Sequence, residues 1–241
     1  MSAAPVEPLP DDSPAPEREG GLYRFSAAHF LAALVLLLVT LPFVQEWEHG
    51  QPVEAALVTV VLLSAVPAVG GQRRTLVEGV ILVTPAIVAT WWHHLHPHVM
   101  PQWAALTAAL LFVAFVVYHL VRFILTSPHV DSQVLCAGIS TYLMMGIFWA
   151  FAHSLIEQLH PNAYLFASTP RPAGGLAGFE AMYFSFSTLT TVAYGDIMPV
   201  ANVARMASMA EATAGLFYVT MMIARLVALY SASTTSKENA P

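Results

Sequence analysis

The sequence predicts an all-α membrane protein: six transmembrane helices, with a re-entrant helix and an extended run between the fifth and the sixth. Two observations predict it. Hydrophobic residues make up 57% of the 241 and charged residues only 10%, against roughly a quarter charged in a soluble domain, so most of the chain must face lipid or other apolar helices. The apolar residues also gather into six runs, at about 27–44, 53–68, 76–92, 104–125, 134–152 and 203–229, each near the roughly 17–25 residues that cross a hydrocarbon core. The same composition excludes a nucleic-acid partner, because the nine Lys and Arg are scattered rather than clustered into a basic surface. No Ser-His-Asp or zinc-hydrolase spacing stands outside the transmembrane frame, so no enzyme is expected. Nor is there an inverted repeat of the kind secondary transporters carry.

Taken in order, residues 1–26 are rich in Pro, Glu, Asp and Ala and read as a disordered cytoplasmic tail. Glu7, Asp11, Asp12, Glu17 and Glu19 make it acidic, whereas a cleavable signal has basic residues before its apolar core. The first helix is therefore expected to remain. With a cytoplasmic N-terminus, Arg18, Arg24, Arg73, Arg74, Arg122, Arg225 and Lys237 lie inside and only Arg171 and Arg205 outside, as the positive-inside rule expects. Trp47, Trp91, Trp92, Trp103 and Trp149 then fall near the outer interface, the headgroup level that Trp prefers. Both termini are expected to be cytoplasmic, in a cell membrane, and the short loops suggest a bacterial inner membrane. Cys136, the one cysteine, lies in an apolar run and reads as a small packed hydrophobe.

Residues 27–126 form a four-helix transmembrane block. A voltage sensor needs several cations on its fourth helix, since one charge crossing the field yields only about 2.3 kcal/mol per 100 mV. The run 104–125 carries Arg122 alone, at its cytoplasmic end, with His119 a turn before it. The block therefore lacks voltage-sensor arginines. The link at about 126–132, containing Pro128, is short enough to pack the block against the helices that follow in the same chain.

Residues 127–231 form the second unit. Its segment at about 179–190 is too short to span and leads into Thr191-Val192-Ala193-Tyr194-Gly195-Asp196. This run differs at one position, Ala193, from Thr-Val-Gly-Tyr-Gly-Asp, the selectivity filter of potassium channels. The unit as a whole resembles the two-helix pore module of the potassium-channel superfamily. Thr190-Thr191 at the helix junction, Ile197-Met198-Pro199 after the run, Gly215 in mid-helix and Ile223-Ala224-Arg225-Leu226-Val227 carry the resemblance further.

The resemblance implies a homotetramer in the lipid bilayer with K+ bound in a filter made of Thr191, Val192, Ala193, Tyr194 and Gly195, and no other cofactor. The coordinating oxygens would be the carbonyls of Thr191, Val192, Ala193 and Tyr194 and the Thr191 hydroxyl, with Val192 and Tyr194 pointing away from the axis. Four copies of such a strand supply the stacked rings of carbonyls that replace an ion's water. Asp196 would form a ring of carboxylates at the outer mouth, and Gly215, Leu216, Val219 and Ile223 the inner-helix hinge and cavity wall. Ser187, Thr190 and Glu211 would support the filter. In the family, the first filter glycine takes positive φ so that its carbonyl faces the ion. At Ala193 either the chain accepts that strain, roughly 1–2 kcal/mol for a residue with a Cβ, or the carbonyl turns off the axis and selectivity loosens.

Other features stand apart from the filter. Glu78 lies four residues after Arg74 and reads as an inner-interface partner for it. Glu211 lies about 12 Å into the last helix at 1.5 Å per residue, near the depth of the re-entrant helix, and is expected to hydrogen-bond within the protein. His93, His94, His96 and His98 place four imidazoles in one outer loop. They could hold a regulatory metal ion or titrate, although the spacing matches no defined tetrahedral motif. Glu46, Glu48, Glu54, Glu157 and Glu180 are expected outside, where dispersed loop acids are mostly solvated. The stretch 155–178 reads as an outer turret loop, and 232–241 as a short cytoplasmic tail too short for a ligand-gating domain.

The leading reading is a potassium-selective channel not gated by voltage through its fourth helix. A weakly selective or non-selective cation channel, owing to Ala193, is the alternative. A non-conducting membrane scaffold, or a sensor of metal or protons, is a second alternative from a different class.

Overall fold

Backbone N–H and C=O groups in lipid must be satisfied within their own segment, and an apolar run does this by folding as a helix. The computed structural model describes residues 23–45, 50–69, 73–95, 102–127, 131–167, 170–172 and 174–238. Among them are seven helices: α1 (Tyr23–Gln45), α2 (Gly50–Val69), α3 (Arg73–Leu95), α4 (Gln102–Thr126), α5 (Ser132–Leu159), α6 (Gly178–Leu189) and α7 (Asn202–Glu238). Four described stretches, in α1, α4, α5 and α7, are long and apolar enough to cross a membrane, while α2 and α3 carry the shorter apolar segments Ala55–Ala68 and Val77–Val88.

The all-α expectation needs one correction. Two short strands, β1 (Tyr164–Phe166) and β2 (Ile197–Pro199), pair antiparallel, with Tyr164 opposite Pro199 and Phe166 opposite Ile197. The expected turret loop is thus partly structured, and α5 enters it by running seven residues past 152, to Leu159. Its last turns carry the polar His153, Ser154 and Glu157, all buried against the protein. Hydropathy marks the length of helix that faces lipid, not the length of helix. The helix α7 continues to Glu238, through most of the expected tail.

The core is continuous. Phe30, Leu34, Leu37 and Leu41 of α1, spaced by three and four, share one cluster with Val61, Leu62 and Ala65 of α2, and α2 in turn packs on α3, which adds Val83 and Ala86. The α4 stripe Phe112, Val116, Leu120 and Ile124 is buried along one face. Both α1 and α4 pack on α5 of the same chain. Asp131 opens α5: its Oδ1 accepts from the N–H groups of Gln133 (3.1 Å) and Val134 (3.0 Å), capping the helix. At the same level, Arg225 of α7 donates from Nη2 to the Ser127 carbonyl over 2.8 Å.

Between helices in lipid the hydrophobic effect supplies little, so close packing and interhelical hydrogen bonds carry association. Gly146 of α5 lies so close to Phe186 that a Cβ there would sit 2.4 Å from the ring. Tyr218 of α7 donates to the Gly138 carbonyl of α5 over 2.7 Å. His93 and His94 fall in the last turn of α3, but their side chains, and His96 and His98 altogether, lie outside the described residues.

Gly146→Ala is expected to destabilise the protein by about 1–3 kcal/mol through overpacking. Gly79→Ala, whose added Cβ would find its nearest neighbour at 3.7 Å, is expected to be neutral or stabilising by up to about 1 kcal/mol, since glycine weakens a helix. Thermal unfolding of the two variants in detergent checks the contrast.

Candidate functional site

The helix α6 ends where its own carbonyls begin to be used by the run that follows. Thr190 N–H donates to Phe186 O (3.0 Å), Thr191 N–H to Thr188 O (2.9 Å), and Val192 and Ala193 N–H both to Ser187 O (2.9 and 3.1 Å). The first three donors of the run, those of Thr191, Val192 and Ala193, are thus turned back into the helix. Among the described residues no hydrogen bond is made to the carbonyls of Thr191 through Gly195.

The backbone alternates as it does so. Thr191, Ala193 and Gly195 take φ of +61°, +45° and +81°, and Val192 and Tyr194 between them stay out of the positive region. Alternation of this kind keeps successive carbonyls on one side of a strand. Ala193 therefore accepts positive φ. Thr191, a β-branched residue for which positive φ is a clear outlier, does so as well. All five residues are exposed in the single chain, Val192 at 54% and Tyr194 at 69%.

The run is held at its far end by Asp196. Its Oδ2 accepts from the Tyr183 hydroxyl of α6 over 2.8 Å and its Oδ1 from Ile197 N–H over 3.0 Å. The Tyr183 ring stacks on Tyr194 at 5.9 Å. The Asp196 carbonyl accepts from Ala167 N–H over 2.7 Å, just beyond β1. Both carboxylate oxygens expected at an outer mouth are thus also structural.

Behind α6 lies a buried polar quartet. Glu211 of α7 and His153 of α5 are fully buried, and His153 Nε2 lies 2.8 Å from Glu211 Oε2. Glu211 Oε1 lies 2.5 Å from Ser185 Oγ of α6, which is also 2.8 Å from the Gly146 carbonyl of α5. His153 Nδ1 lies 2.6 Å from the Tyr164 hydroxyl of β1. Burial pushes the Tyr164 phenol up, so it remains a donor. Phe184 packs edge-on to both His153 and Tyr164. One cluster thereby joins α5, α6, α7 and β1.

The other expected site residues fall as follows. Ser187 and Thr190 spend their hydroxyls on Phe184 O and Phe186 O, and the support Ser187 gives the run comes from its carbonyl. Leu216, Val219 and Ile223 are exposed along α7. Gly215 is buried instead: an added Cβ would lie 2.6 Å from the Leu189 carbonyl at the end of α6, and α7 runs through it unbroken. Its glycine is required for close approach. Glu157, expected as a loop acid, is 5% exposed and ion-paired with Arg171, which also donates to Tyr164 O over 3.1 Å.

Four contributors were not expected: Ser185, His153, Tyr164 and Tyr183. His153 stands one residue past the apolar run read at 134–152, so it did not register as an ionisable residue inside the membrane.

The family model described as ion channel matches residues 105–232 of the chain. Comparisons with curated proteins and with solved structures gave no match.

Tyr183→Phe keeps the ring stack and removes the bond to Asp196. A bond to a carboxylate contributes about 1.5–3 kcal/mol, so amide hydrogen exchange at 191–197 is expected to speed up while exchange in α5 stays unchanged.

Proposed function

Because the chain belongs to the potassium-channel superfamily, we propose that it is a homotetrameric, potassium-selective channel conducting through the carbonyls of Thr191, Val192, Ala193 and Tyr194. One observation carries the reading: the N–H groups of Thr191, Val192 and Ala193 are bound by α6, while among the described residues the carbonyls of the run accept no hydrogen bond. A bare row of carbonyls suits a cation that has shed its water and nothing that must be given a proton. The C-terminal end of α6, with its partial negative charge, adds to the preference for a cation beyond it.

Exposure supports the fourfold assembly. Val192 and Tyr194, and Leu216, Phe217, Val219 and Ile223 of α7, leave an apolar surface uncovered on the single chain. Three neighbouring copies would cover it and close the strands into rings. Six crossings follow if α2 and α3 span as well, and their 20 and 23 residues reach about 30 and 35 Å at 1.5 Å per residue, the thickness of a hydrocarbon core. The positive φ of Ala193 favours the selective reading over the looser one, because the carbonyl has not been released from the alternating pattern. Asp196, tied but partly exposed, would add negative potential at the outer mouth.

Purified protein in liposomes is expected to pass K+ and not Na+. Equal fluxes would establish the non-selective alternative, and no flux the non-conducting one. Ala193→Gly removes a strain of roughly 1–2 kcal/mol in each copy and is expected to raise K+ flux or its ratio to Na+ flux.

A further inference from the structure

The quartet behind α6 has more links than an ionised Glu211 and a neutral His153 can fill with hydrogens. Four contacts run in line from Gly146 O through Ser185 Oγ, Glu211 and His153 to Tyr164 Oη, at 2.8, 2.5, 2.8 and 2.6 Å. Each needs one hydrogen. The two hydroxyls supply one each, a neutral imidazole one, and an ionised carboxylate none. Three hydrogens leave one contact bare. If Ser185 donates to Gly146 O, which can only accept, Glu211 Oε1 faces an oxygen with nothing between.

Placing a further hydrogen on His153 does not repair this. It would sit on Nδ1, facing the Tyr164 oxygen, and the Tyr164 hydrogen would lose its acceptor while Ser185 still served two. A hydrogen on Glu211 Oε1 fills every contact and orders them in one direction. Tyr164 donates to His153, His153 to Glu211, Glu211 to Ser185, and Ser185 to Gly146 O.

The geometry points to a proton-binding site at Glu211: the side chain is the neutral acid, donating to Ser185, and the seating of α6 between α5 and α7 depends on that proton. The groups facing it are His153 and Tyr142 from α5, Ser185 from α6 and Tyr164 from β1. Among the described residues no Arg or Lys acts on it. Glu211, His153 and Ser185 are each 0% exposed, and a lone charge there would cost several kcal/mol. As pH rises the proton leaves, the carboxylate takes the Ser185 hydrogen from Gly146 O, and α6 loses its tie to α5. Ion flux through the channel then falls on the alkaline side.

Glutamine separates the acid from the carboxylate, since its amide donates to Ser185 and accepts from His153 and cannot ionise. Glu211→Gln is expected to keep wild-type flux at neutral pH and to lose the alkaline decline. Glu211→Ala is expected to lose about tenfold at every pH, the equivalent of one buried hydrogen bond. If Glu211→Gln falls as far as Glu211→Ala, the site carries a carboxylate and the proposal is overturned. The unaltered protein supplies a second measurement. With isotope-labelled glutamate its infrared spectrum at neutral pH should contain an isotope-shifted C=O band of a carboxylic acid, and absence of that band overturns the proposal too. The spectrum needs no ion flux, so this proposal and the channel reading can fail separately.

Discussion

The contact on which the rest of the pore unit depends is the one Glu211 makes, from α7, to His153 of α5 and Ser185 of α6. Helices in lipid have no hydrophobic reason to choose one partner over another. A buried polar group does choose, because leaving it unmatched costs about 1–3 kcal/mol. The quartet sets which face of α6 meets α5 and α7; Gly146 then admits the Phe186 ring, and Gly215 brings the α7 backbone against the Leu189 carbonyl. Rotating α6 by one residue would break all of these at once.

What the quartet protects is a strained backbone. Thr191 and Ala193 in the left-handed region cost about 1–2 kcal/mol each. The three bonds from Thr191, Val192 and Ala193 N–H to α6 carbonyls return about 0.5–1.5 kcal/mol each. The two sums are comparable, so the conformation persists only while the end of α6 stays in place to accept those bonds. A shift of the helix would release the run, and this makes the distant Glu211 relevant to carbonyls it does not touch. The Asp196 anchor to Tyr183 works from the other end.

The sequence made some of this legible and not the rest, for physical reasons. Hydropathy is a local property, so the six apolar runs and the short α6 could be placed within a few residues. Alternation of side chains along three-residue strands is too brief to read, and β1 and β2 went unseen. The end of α5 lies beyond the apolar run because His153, Ser154 and Glu157 look like an exit from the membrane when they are turned into the protein. Thr191 through Asp196 could be picked out because the order of a few adjacent residues determines what their backbone does. The role of Glu211 was legible only in outline: its depth implied an internal partner, but the partner stands 58 positions away, and no periodicity links the two. Gly215 could be picked out as a necessary glycine, but the reason for it lies in the Leu189 carbonyl it touches.

The ribbon of β1 and β2 has a consequence for assembly. Three residues within the stretch 155–178 and three after the run 191–196 are paired within one chain, with Val200 and Ala201 N–H added onto the Ala163 carbonyl. Each subunit thus carries its strand fixed at both ends before any neighbour arrives. In the fourfold assembly proposed above, association would be docking of finished parts, with little ordering entropy left to lose where four strands meet. It would proceed at a rate set by encounter, with no slow folding step at the axis.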